Sequence, residues 1–156
     1  MVLTAAHCED KNLDVGRRIS FGNLDFKNER DADYMATPID YRIHPSYTFR
    51  DGDSFDIMVL KLDRDIPVTP ALLNPDSSVP SPGQTLTVMG FGVLNENSDD
   101  QSDRLMAVQV NYIEDCKNEA LYPDYADYKM LNPGPNGEHL CAGVRNGGKD
   151  ACVGDR

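Results

Sequence analysis

Five prolines fall between positions 67 and 82, at Pro67, Pro70, Pro75, Pro80 and Pro82. Each lacks a backbone donor and fixes φ, so neither a regular helix nor a central strand can run through this stretch. It is the best place in the chain for a link between structural units. Residues 1–66 and 84–156 are therefore expected to fold as separate units joined by residues 67–83. A chain of 156 residues has room for one domain with a real core, or for two small barrels that share an interface.

On both sides of the link the patterning is that of short strands and turns. Arg18 to Phe21 alternates and meets the turn signal Gly22-Asn23; Ile39 to Ile43 alternates and stops at His44-Pro45. Asp56-Ile57-Met58-Val59-Leu60-Lys61-Leu62 opens as a continuous apolar run, the mark of a buried strand. Thr85 to Met89 and Leu105 to Val110 read as strands flanking an acidic loop, Asn95 to Asp103. Tyr112 to Tyr122 breaks the pattern: Ile113, Cys116, Ala120 and Leu121 recur at three- and four-residue spacing before Pro123, which predicts one short helix near 112–122. The class expected is all-β, a barrel or a sandwich.

Charge narrows the partners. With 26 acidic against 15 basic side chains the formal net charge is −11, which argues against nucleic acid or an anionic membrane surface as a broad electrostatic partner. No apolar run approaches the length of a bilayer span, and the first residues lack the basic and apolar segments of an export signal. The four cysteines, Cys8, Cys116, Cys141 and Cys152, include no Cys-x-x-Cys pair. A disulfide framework therefore outweighs a metal site, which implies an oxidising compartment.

Four strings carry more specific information: "VLTAAHC" at 2–8, "SFDIMVLKL" at 54–62, "LCAG" at 140–143 and "GGKDACVGD" at 147–155. In this order and at these separations they resemble the trypsin/chymotrypsin-type serine endopeptidases, and the resemblance runs over essentially the whole chain. It implies a double six-stranded antiparallel β-barrel, here incomplete, with segments expected beyond both ends of the chain. It also implies secretion, a monomer when complete, a peptide or protein substrate, and no cofactor or metal. Asn23, Asp25 and Asp33 lie in a loop like the calcium loop of some trypsins, but Arg30 stands where a carboxylate would help.

The roles implied follow residue by residue. His7 matches the general base and Asp56 its orienting carboxylate, 49 positions away; acyl transfer needs a base held in one tautomer by a buried acid. Asp150 matches the acid at the floor of the specificity pocket of trypsin-like members, which implies cleavage after Lys or Arg. Gly154 matches an oxyanion-hole position, whose N–H is aimed at developing negative charge. Asp155 matches the acid that pairs with a freed amino terminus on activation. Cys116 and Cys141 match a disulfide pair, while the partners expected for Cys8 and Cys152 fall outside the sequence.

At Arg156 the pattern breaks, because the family has its nucleophilic serine at that position. A guanidinium stays cationic and offers no lone pair to a carbonyl. Two readings follow. One is a fragment of an active endopeptidase whose nucleophile is missing from this chain; the other is a non-catalytic homologue that keeps the fold as a binding module or inhibitor. The retained His7 and Asp150 favour the first, and an isolated interaction domain is a weaker third. For the chain as it stands, no peptidase activity is expected.

Overall fold

The computed structural model describes residues 1–9, 17–25, 27–28, 32–48, 55–95, 100–114, 140–144 and 147–148. Among them are eight strands and a single turn of 3₁₀ helix, so the class is all-β as expected. The strands are β1 (Val2–Thr4), β2 (Ile19–Phe21), β3 (Tyr34–Ala36), β4 (Pro38–Ile43), β5 (Met58–Leu62), β6 (Thr85–Gly90), β7 (Met106–Ile113) and β8 (Cys141–Gly143); the 3₁₀ turn is Ala6–Glu9.

They form three antiparallel sheets, ordered β1-β5-β4, β2-β3 and β6-β7-β8. β5 is central in the first, and the reason is in its residues. Successive side chains of a strand point to opposite faces, and here Met58 and Leu60 go inward while Lys61 stays exposed. Met58 pairs with Thr4 on one side and Ile43 on the other. Met58, Leu60 and Ala6 form a buried cluster against which Val2, Cys8, Ile19, Tyr41, Ile43 and Tyr47 pack. The far end of β5 is tied to the turn before β4. Thr37 N–H donates to an Asp63 carboxylate oxygen at 3.0 Å, and Asp63 N–H donates to the Thr37 carbonyl at 2.9 Å. The β4–β5 register shifts between Pro38 and Asp40, where proline cannot donate to the ladder.

The stretch from Asp63 to Gln84 contains no strand or helix, as its prolines require. Beyond it, β6 and β7 pair over six residues, from Thr85↔Asn111 to Gly90↔Met106, with Val110 and Ile113 buried. The helix expected from Tyr112 needs correcting at its start. Tyr112 and Ile113 end β7, paired with Ala142 and Cys141 of β8. Their apolar spacing serves a strand end packed on a neighbour, and long-range pairing overrides the local period. The rest of that segment lies outside the described residues.

The loop after β2 reaches the loop before β7. Leu105 N–H donates to the Leu24 carbonyl at 3.0 Å, Asp25 and Arg104 form an isolated antiparallel bridge, and Lys27 pairs with Asp103 at 2.8 Å. The loop's own shape comes from Asx turns: Asp25 N–H donates to Asn23 Oδ1 and Lys27 N–H to Asp25 Oδ1. No cluster of potential metal ligands occurs among the described residues.

Candidate active site

Two segments far apart in the chain meet beside the first core. β1 runs into the 3₁₀ turn, where Ala6 is almost wholly buried and anchors the turn on Met58 and Leu60. The next residue, His7, faces Asp56, which lies two positions before the start of β5. Because β1 and β5 pair, with Thr4 opposite Met58, this register carries both residues to the same end of the sheet.

His7 holds Asp56 twice. Its backbone N–H donates to Oδ1 at 2.8 Å, and its ring Nδ1 lies 2.5 Å from Oδ2. Both side chains are about four-fifths shielded, at 22% and 21% exposure. Burial alone would push the Asp56 carboxyl up. The bonds from the His7 backbone and ring, the attraction of the imidazole and the backbone of Ala6 outweigh it and hold the group below its ordinary value. An ionised carboxylate only accepts, so Nδ1 carries the proton in the neutral ring and Nε2 is left with a lone pair. Nε2 is itself buried and has no hydrogen-bond partner among the described residues. A buried basic nitrogen without a partner is costly unless something is to occupy the space before it.

The approach to Asp56 has a second feature that sequence reasoning missed. Phe55 adopts a left-handed backbone with φ of 57°, and its carbonyl accepts from Ile57 N–H at 2.6 Å. The Ile57 carbonyl in turn accepts from His44 N–H at 2.9 Å. His44 was legible as the histidine of a His-Pro pair at a strand end, and it does follow directly on β4. The turn at Phe55 leaves no signal in the letters, since phenylalanine is a residue that rarely takes a positive φ.

The other residues singled out from the sequence are distributed unevenly. Cys141 opens β8 and is disulfide-bonded, and Cys8 is a free thiol. Cys116, Asp150, Gly154, Asp155 and Arg156 lie outside the described residues. No helix among the described residues is long and apolar enough to cross a membrane.

Comparison with known proteins bears on the family and the fold. The family model described as Trypsin matches residues 1–156. A venom plasminogen activator of Lachesis muta muta is 30% identical over 156 residues, covering 99% of this chain and 56% of that protein. A thrombin-like enzyme, elegaxobin-1, of Protobothrops elegans is 31% identical over 158 residues, covering 99% and 62%. The glandular kallikrein of Sus scrofa is 31% identical over 170 residues, covering 99% and 63%. The chain thus spans roughly three-fifths of the length of these relatives. Among solved structures, neuropsin, a serine protease of mouse brain, superposes with a TM-score of 0.71 at 24% identity, over 98% of this chain and 63% of that one. That likeness bears on the fold, and the described strands fit part of its double β-barrel. With a family model matched along its whole length, the chain belongs to the trypsin family of serine proteases.

Proposed function

We propose that this chain derives from a secreted endopeptidase that cleaves after Lys or Arg, with His7 as general base and Asp56 as the residue that orients it. One observation carries the reading: His7 is bonded to Asp56 through Nδ1 while Nε2 stays buried and without a partner among the described residues. In acyl transfer Nε2 takes the proton of the attacking hydroxyl and returns it to the leaving amine, and the carboxylate stabilises the imidazolium formed between these steps. Asp56 is suited to this because its bonds to His7 keep it ionised. Asp150 would meet the cationic side chain of the substrate, Gly154 N–H would face the oxyanion and Asp155 would receive the new amino terminus. Cys116 would pair with Cys141. Residues 1–66 and 84–156 would be the two barrels. Venom relatives by name support an extracellular location.

The nucleophile is the open point of the chemistry. Arg156 stands at the family's serine position, so the 156-residue chain is expected neither to hydrolyse an arginyl amide nor to react with a covalent serine-hydrolase probe. Arg156 is also the observation that favours a second reading, a non-catalytic homologue that binds without cutting. Recovering the transcript beyond codon 156 separates the two. Serine at 156 followed by Gly-Gly-Pro, in a product that hydrolyses arginyl amides and loses that activity on His7→Ala, supports the enzyme. A complete second barrel that retains arginine and binds without turnover supports the homologue.

A further inference from the structure

The residue directly before Asp56 is held in a conformation that its type disfavours. Phe55 has φ of 57°, and for a bulky side chain that is a true outlier, kept only where the surroundings over-determine it. The surroundings here are specific. The Phe55 ring lies on the imidazole of His44, with centroids 4.7 Å apart and planes within 7°. The platform is itself fixed: His44 Nδ1 accepts from Ser46 N–H at 3.2 Å, and the His44 carbonyl accepts from Tyr47 N–H at 2.9 Å. On the other side of Asp56, the Ile57 carbonyl is pinned by His44 N–H. One residue, His44, therefore grips the chain both before and after the carboxylate, by its ring and by its backbone.

We propose that Phe55 is a positioning residue, whose left-handed turn, locked by stacking on His44, aims the Asp56 carboxylate at His7. The proposal rests on the reading of His7 and Asp56 as a functional pair. The tight turn from the Phe55 carbonyl to Ile57 N–H, 2.6 Å long, has Asp56 at its centre, so the direction of the side chain depends on the backbone torsions at Phe55. Without the stacked ring, position 55 relaxes toward negative φ. Oδ1 and Oδ2 then cannot both face the backbone N–H and the ring of His7.

The test is proton NMR of the 156-residue chain, following exchange with water of the His7 Nδ1 proton, which a merely supportive role for Phe55 would not affect. Phe55→Ala is expected to speed that exchange about three- to tenfold, the factor carried by loss of one aromatic pair. Phe55→Tyr, which keeps the stack, is expected to match the parent. The methyl signals of Met58 and Val110, buried in the β1-β5-β4 and β6-β7-β8 sheets, report whether both sheets stay folded. Unchanged exchange in Phe55→Ala with both sheets intact overturns the proposal and leaves the His7–Asp56 pair standing. Should Phe55→Ala unfold the chain, His44→Leu is read in the same way, since it removes the platform and leaves Phe55 in place. A parent without a protected Nδ1 proton removes the pair itself, and with it both readings.

Discussion

Met58 is the side chain on which the first core and the site both depend. It is completely buried, opens β5, the central strand of its sheet, and pairs with β1 and β4 at once. Truncation to alanine leaves a cavity between the 3₁₀ turn and three strands, and the strands' backbones are bonded to one another and cannot collapse freely. For a buried methionine this costs about 2–5 kcal/mol, and the upper half of that range is expected here. Against a total stability of about 5–15 kcal/mol for a single domain, the loss is a large share. With a urea slope of about 1–3 kcal/mol per molar, the unfolding midpoint falls by roughly 1–5 M. Urea titration followed by fluorescence of the tyrosines measures it. Met58→Leu conserves volume and is expected to cost less than about 1.5 kcal/mol. A fall below about 0.5 M for Met58→Ala, or equal losses for the two variants, would refute the placing of this side chain at the heart of the core.

The remaining predictions concern the site, the turns and the surface. The Asp56 carboxyl is held below its ordinary value, so its contribution to stability is present above the unfolded pKa and is lost as pH falls through the folded one; Asp56→Asn is expected to remove that part of the acid dependence in urea titrations run across this window. Gly22 and Gly83 both have positive φ, but a Cβ at Gly22 would overlap the Asp33 carboxylate, with its Cγ only 2.8 Å away, whereas a Cβ at Gly83 meets nothing. Gly83→Ala is expected to cost about 1–2 kcal/mol from backbone strain alone, and Gly22→Ala measurably more by the same titration. The Lys27–Asp103 pair is exposed on both sides, at 74% and 51%, so Lys27→Ala is expected to leave the urea midpoint almost unchanged, with any small difference vanishing in high salt.

The parts of this fold that could be read from the letters are those in which a local pattern coincides with a tertiary need. β4, β5, β6 and β7 were legible because each alternates or runs apolar for long enough to carry a period, β2 because its short run stops at the Gly22-Asn23 turn signal, and the lack of strand and helix from Asp63 to Gln84 because proline excludes both. β1, β3 and β8 were not. Each has three residues, too few for a period, and each exists through the partner it pairs with. Tyr112 and Ile113 misled for the same reason: their spacing to Cys116 imitates a helix face, while both lie in register with β8 and the backbone of Tyr112 bonds to Gly83 and Gln84. The site was legible in a different way. Nothing in composition or periodicity joins His7 to Asp56; the resemblance of their two strings to one family did, and the β1–β5 register supplies the physical route by which they meet. Phe55 lay beyond both methods, because its strain is a property of torsions and its support comes from His44, eleven positions earlier.

The central claim is that His7 is a base held in one tautomer by Asp56, and nitrogen-15 NMR of the imidazole tests it most directly. At a pH where the ring is neutral, the two nitrogens give well-separated shifts that identify which one bears the proton. The geometry predicts a proton on Nδ1 and a bare Nε2, with that preference abolished in Asp56→Ala. A proton on Nε2, or a tautomer ratio that Asp56→Ala leaves unchanged, would contradict it.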